Sequence, residues 1–287
     1  MALVRTRPFG ASRYDVPVIG QGTWNLPRSG APLEEAKRAL RAGIELGMVH
    51  IDSAEMYGDG ASERAIGEAI AGIPRERLFL VSKVLPSNAS YEQTIRSCEA
   101  SLRRLRTEYL DCYLLHWRGA YPLEGTMAAL ERLVDDGKTR MLGVSNFDVA
   151  DLEEARSALR THPLACNQVL YHLEERGAEW GVQPFCALHG IAFVGYSPFG
   201  SGDFPSEGTP GGKVLNEIAA RHGATPRQVA LAFLVRLEGT FTIPKAAHVA
   251  HARENAAAAS LELGAGDLAA IEAAFPKPGR DEPLAML

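Results

Sequence analysis

A short apolar run followed by a longer run with helical periodicity recurs eight times along the chain. The apolar runs are Val18–Gly22, Val49-His50-Ile51, Leu78–Val81, Tyr113-Leu114-Leu115, Met141–Val144, Ala165–Val169, Ile191–Tyr196 and Thr240–Ile243. Helical patterning falls between them, near Leu33–Leu46, Ser62–Ile70, Tyr91–Leu105, Leu123–Val134, Val149–Leu159, Gly181–His189, Val214–Arg221 with Pro226–Val235, and Ala247–Ala259. Strands separated by helices pair in parallel through right-handed crossovers. Eight such units favour closure, so the expected fold is α/β, a (β/α)8 barrel of the TIM type. An open doubly wound sheet is the runner-up. It is weakened because Gly20-Gln21-Gly22 has only the first half of the Gly-x-Gly-x-x-Gly pattern that such sheets place after strand one.

Two pieces lie outside the repeat. Leu3–Arg7 and Tyr14–Val16 flank the turn-like Pro8–Ser12, which reads as a β-hairpin able to plug the N-terminal end of the barrel. Asp267–Phe275 reads as a short helix, followed by a Pro-containing tail, Pro276–Leu287. No linker interrupts the chain, so residues 1–287 are expected to form one domain, and Ser201–Gly212 is read as a mobile loop. Hydrophobic residues make up 46%, enough for a large core without a covalent staple. The net charge of −5 argues against a nucleic-acid partner, which requires a basic face. Cys98, Cys112, Cys166 and Cys186 are widely spaced and are expected to be buried free thiols, with no metal site. Residues 1–10 carry no apolar signal-type run and nothing approaches a membrane span, so cytoplasm is the expectation.

Groups capable of chemistry sit at the carboxyl end of successive strands. They are Asp52, Lys83, His116, Ser145-Asn146, Gln168, Tyr196 and Lys245. The intervals Asp52 to Lys83, Lys83 to His116 and His116 to Ser145 are 31, 33 and 29 residues, each one βα unit. In a parallel barrel these ends share one face, and that face carries the active site. Carbonyl reduction needs a hydride donor and a proton donor, and no side chain supplies hydride, so a nicotinamide is implied once reduction is proposed. A tyrosine is a poor acid at neutral pH unless positive charge stands beside the phenol. Lys83 can supply that charge, and Asp52 can keep a buried Lys83 protonated. Tyr57, five residues beyond Asp52, can fold over the barrel mouth, and His116 can hydrogen-bond a carbonyl oxygen.

Asp52-Ser53-Ala54-Glu55-Met56-Tyr57, Val81-Ser82-Lys83-Val84, Leu114-Leu115-His116-Trp117, Gly143-Val144-Ser145-Asn146-Phe147 and Asn167-Gln168-Val169 together resemble the aldo-keto reductase superfamily. Tyr196-Ser197-Pro198-Phe199-Gly200 and Ile243-Pro244-Lys245 fit the same pattern, in register from about Val16 to Asn255. Gly20–Trp24, Ala54–Tyr57 and Pro244–Ala247 look most like bacterial methylglyoxal-reductase-like and 2,5-diketogluconate-reductase-like members. The resemblance implies an NADPH-dependent reductase of aldehydes and ketones, with small α-oxoaldehydes and aromatic aldehydes among its substrates. It implies Tyr57 as the general acid, completed by Lys83, Asp52 and His116. Ser145, Asn146 and Gln168 would hold the nicotinamide carboxamide and Tyr196 would stack on the ring. Ser197, Pro198, Phe199 and Ser201 would cover the pyrophosphate. Lys245, Ala246, His251, Glu254 and Asn255 would surround the adenosine end, with Asp52, Gly22, Thr23 and Ile243 completing the cofactor contacts.

Two positions depart from the pattern. Many relatives carry serine and arginine where this chain has Ala246 and His251, and both groups help hold the 2′-phosphate. A phosphate contact is lost and a fixed charge becomes a titratable one. Lys245 remains, so NADPH is expected over NADH, with NADH as a weaker second.

Taken singly, each residue has a plainer reading. Asp52 would be a strand-end cap, Tyr57 a packed loop aromatic, Lys83 a solvated strand end, His116 a satisfied core histidine and Tyr196 simple packing. The shared register favours function. Trp24 and Trp117 are expected to line the substrate pocket beside Tyr57 and His116. His251 reads equally well as an exposed helix residue, and His172, His189 and His248 receive no role. The short tail implies an open pocket. A monomer acting on small-molecule carbonyls, without a membrane partner, completes the reading. A barrel that binds NADPH as a redox sensor with little turnover is the alternative, and a cofactor-free isomerase or lyase a third.

Overall fold

The structure, a computed structural model, describes residues 4–280 and 282–287. Leu3, the first residue of the expected hairpin, lies outside the described residues. The elements run β1 (Thr6–Pro8), β2 (Asp15–Pro17), β3 (Gln21–Gly22), α1 (Gly30–Glu45), β4 (His50–Asp52), α2 (Ala61–Ala69), β5 (Phe79–Val84) and α3 (Tyr91–Leu105). They continue β6 (Leu110–Leu115), α4 (Leu123–Asp135), β7 (Thr139–Ser145), α5 (Val149–Ala158), β8 (Leu164–Leu170), α6 (Val182–Leu188) and β9 (Ala192–Tyr196). The last are α7 (Pro210–His222), α8 (Pro226–Leu234), β10 (Thr240–Thr242), α9 (Val249–Ala258) and α10 (Ala265–Ala274).

Strands β3 to β10 form one parallel sheet in chain order. The first and last then meet, through Gly20 N–H to the Thr242 carbonyl at 2.8 Å and Thr242 N–H to the Val18 carbonyl at 2.9 Å. The sheet is therefore a closed (β/α)8 barrel, and the doubly wound alternative falls. Gly22 sits at this seam for a steric reason. A Cβ there would stand 2.5 Å from the Ile243 carbonyl oxygen.

Strand alternation divides the core into two layers. Leu80, Val84, Tyr113, Leu115, Leu142 and Val144 face the helices. Phe79, Val81, Cys112, Leu114, Met141, Cys166, Val194 and Phe241 fill the interior. The interior has a floor. The hairpin of β1 and β2 carries Phe9 into the N-terminal end, where its ring lies 4.9 Å from Phe79 and 5.1 Å from Phe241. The four cysteines are free and buried. Cys112 and Cys166 face one another inside the barrel at 3.9 Å.

Two local expectations are corrected. Helix α1 starts at Gly30 rather than Leu33, because Pro32 fits the first turn, whose N–H groups have no intrahelical acceptor. Ser201–Gly212 is not one loop. Gly200–Gly202 forms a 3-10 turn and α7 already begins at Pro210, capped by Thr209, whose hydroxyl accepts from Gly212 N–H at 3.0 Å. Two of the segment's glycines, Gly211 and Gly212, serve close packing: a Cβ on Gly211 would meet the Phe275 ring at 2.4 Å.

Candidate active site

On seven of the eight barrel strands, β4 to β10, the inward parity ends in a polar group. His50 is followed by Asp52, Phe79 and Val81 by Lys83, Cys112 and Leu114 by His116, and Cys166 by Gln168. In the same way Met141 leads to Ser145, Val194 to Tyr196, and Phe241 and Ile243 to Lys245. All seven emerge at the carboxyl-end face of the barrel. Lys83 is fully buried, with Nζ 2.6 Å from Asp52 Oδ1, 2.7 Å from the Ser53 carbonyl and 3.3 Å from Tyr57 Oη. The His116 ring stands edge-on to the Tyr57 ring, with centroids 5.8 Å apart. Thus residues from three strands and one loop converge.

The Tyr57 loop is pinned at both ends. Glu55 N–H donates to the Lys83 carbonyl at 3.3 Å, and the Glu55 carboxylate accepts from Leu85 N–H at 2.7 Å. Beyond the loop, Ser62 Oγ donates to the Thr23 carbonyl at 2.9 Å, and buried Glu63 holds Ser82 Oγ and Arg104.

Burial sets the electrostatics. It would by itself draw the Lys83 ammonium down, but Asp52 and Tyr57 hold it above its ordinary value. His116 is driven down to about 2, by burial first and by Lys83 second, and so is uncharged at neutral pH. For Tyr57, desolvation at the cavity floor outweighs Lys83, and the phenol is held above its ordinary value. Lys83 alone therefore does not make the phenol acidic; its pull is overcome by burial and by Asp52.

A cavity of 640 Å³ opens above these groups. Its lining includes the expected Gly22, Thr23, Trp24, Asp52, Tyr57, His116, Trp117, Ser145, Asn146, Gln168, Tyr196, Ser197, Pro198, Phe199, Ser201, Ile243 and Lys245. Lys83 lies beneath, bound to the floor. Gln168 Nε2 donates to Asp52 Oδ2 at 2.7 Å, and Tyr196 Oη donates to Asn146 Oδ1 at 3.0 Å. Asn25, Asn146, Ser197 and Ser201 all line the cavity with left-handed backbones, φ 59, 61, 50 and 52°. Such strained non-glycine positions gather at functional sites.

Ala246, His251, Glu254 and Asn255 do not line the cavity. The Glu254 carboxylate accepts the hydroxyl of Thr225, the N-cap of α8. Asn255 is buried and His251 is exposed, its ring edge-on to His248 at 5.5 Å.

Sequence reasoning missed Asn25, Met56, Gly202, Met286 and Leu287, which also line the cavity. The last two bring the tail to the mouth of the pocket, although both stay exposed, at 54 and 68%. The Trp180 indole donates to the Pro278 carbonyl at 2.6 Å and Leu284 packs on the core, so the tail is led back to the mouth. Met56, beside Tyr57 in the same loop, was the one with a readable signal.

The cavity has features that suit a dinucleotide. Tyr196 offers an aromatic face, Ser145, Asn146 and Gln168 line the wall with polar groups, and Lys245 adds a cation to the lining. Residues 18–275 match the Aldo/keto reductase family. The chain is 46% identical to the methylglyoxal reductase YeaE of Escherichia coli K12, covering 92% of each. Its fold superposes with TM-score 0.92 on an aldo-keto reductase from Klebsiella pneumoniae crystallised with NADPH, at 42% identity and 100% coverage of both chains. A putative 2,5-diketo-D-gluconic acid reductase B superposes with TM-score 0.81 at 34% identity, over 95% of this chain and 93% of that one.

Proposed function

The chain belongs to the aldo/keto reductase family and is an NADPH-dependent carbonyl reductase; on that premise we propose that Tyr57 is its proton donor and that small aldehydes, methylglyoxal among them, are its substrates. The observation that carries this reading is the buried chain Asp52–Lys83–Tyr57 at the cavity floor, with Nζ 2.6 Å from the carboxylate and 3.3 Å from the phenol.

Ser145, Asn146 and Gln168 would hold the nicotinamide end of the cofactor, with Tyr196 against the ring. Ser197, Pro198, Phe199 and Ser201 would cover the pyrophosphate, and Lys245 would meet the phosphate at the adenosine end. When bound, NADPH supplies the hydride that the carbonyl carbon takes. The chain does the rest. His116, uncharged, orients the carbonyl oxygen, and Tyr57 Oη gives that oxygen its proton. The phenolate left behind is held by Lys83 until a proton returns from solvent. Asp52 keeps Lys83 charged and in place. Trp24 and Trp117 would flank the substrate. A cytoplasmic, monomeric, single-domain enzyme completes the proposal.

Replacing Tyr57→Phe removes the proton and little volume. Its NADPH affinity, read by cofactor fluorescence, should be unchanged, while kcat should fall by a factor of about 10²–10⁴. A variant that reduces methylglyoxal at the parent rate sinks the assignment.

A further inference from the structure

Methylglyoxal and a keto sugar acid differ in one property that a protein can hardly ignore: the second carries a carboxylate. The lining of the cavity, which holds Tyr57 and His116, carries the apolar side chains of Trp24, Met56, Trp117 and Met286, together with the uncharged amide of Asn25. Among the described lining residues, Lys245 is the only one with a fixed positive charge. It extends β10, four strands from β6 and His116 in an eight-stranded barrel, and so stands across the mouth from them. In the proposal above it is engaged by the cofactor's phosphate. Lys83 offers nothing to an anion, since its ammonium is taken by Asp52, the Ser53 carbonyl and Tyr57. Arg28, exposed and beside Gly58, does not line the cavity. The histidine at the reacting end is buried and uncharged. A substrate carboxylate would therefore lose water against indole and thioether surface without gaining a cation.

We propose that this cavity selects by charge: it accepts uncharged carbonyls bearing an apolar or aromatic body and refuses carboxylates such as 2-oxo acids and keto sugar acids. The inference rests on the reductase reading above and narrows it. Selectivity of this kind is a difference between two affinities, and here the repulsive element is an unpaired, desolvated charge.

The test uses the NADPH complex and a matched pair, methyl 4-formylbenzoate and 4-formylbenzoate, at neutral pH. The ester should be reduced, and kcat/KM for the carboxylate should be lower by a factor of about 100, equivalent to ~2.7 kcal/mol in the transition state. A second arm installs the missing cation. Met56→Arg should shrink the ester-to-carboxylate ratio by a factor of about 10, a comparison in which the intrinsic reactivity of the two aldehydes cancels. Similar kcat/KM for both substrates overturns charge selection and leaves the reductase reading standing. A ratio unchanged in Met56→Arg overturns its assignment to this lining. If NADPH binds and neither aldehyde is reduced, the reductase reading falls and the inference falls with it.

Discussion

Two histidines inside the barrel behave unlike histidines in water. Burial drives His50 down to about 3 and His116 to about 2, with Lys83 adding to both. In the unfolded chain each takes a proton near its ordinary value of 6.5. Between these values the unfolded state binds more protons, so the contribution to stability is complete above 6.5 and is lost as pH falls below it. The slope per histidine is about 1.4 kcal/mol per pH unit. Denaturant unfolding of His50→Gln, compared with the parent between about pH 6.5 and about pH 4, should show a shallower decline by roughly one histidine's share. An identical decline would mean that His50 is solvated. At this scale the sequence was readable in part. Asp52, Lys83 and His116 are visible because each continues an inward parity beyond an apolar run. Their charge states were not visible, since those depend on burial and on partners 31 residues away.

Among the connecting elements, the turn between α5 and β8 shows how a helix can hold a loop. Glu131 on α4 is buried, and its Oε1 accepts N–H bonds from Arg160, Thr161 and His162 at 2.9, 2.6 and 2.9 Å. Burial would raise this carboxyl, but the three amides win and hold it near 2. Glu131→Ala leaves those amides without their acceptor, and should cost about 3 kcal/mol in urea unfolding. The carboxylate's contribution is present above its ordinary value of 4.5 and disappears as pH falls through about 2, so the variant and the parent should converge in acid. A loss below about 0.5 kcal/mol would show that water replaces Glu131. Strand and helix identities were legible here because hydrophobic period separates them. The starts of α1 and α7 were not. Pro and Gly mark a loop and a first turn alike, and at α7 it is the Thr209 cap and the packing of Gly211 on Phe275 that tell them apart.

For the whole molecule, closure of the sheet converts seven strand ends into one cavity, and a ligand that spans it ties the barrel's rim together. A cofactor that binds only the folded state raises its stability by mass action. NADPH at about 100 times its Kd should add ~2.7 kcal/mol, seen as a rise in Tm, and NADH at the same concentration should add less. Equal shifts would mean that Lys245 does not read the extra phosphate.

By itself the sequence determined what repeats locally: eight strands, their intervening helices, and the polar residue that ends seven of the inward rows. These follow from side-chain period and need no distant partner. What only the tertiary structure decided is everything that depends on segments far apart in the chain. Met286 and Leu287 line the mouth because Trp180 and the core redirect the tail. Tyr57 stays protonated because folding removes its water, against the pull of Lys83, while His116 stays uncharged because burial and Lys83 act in the same direction.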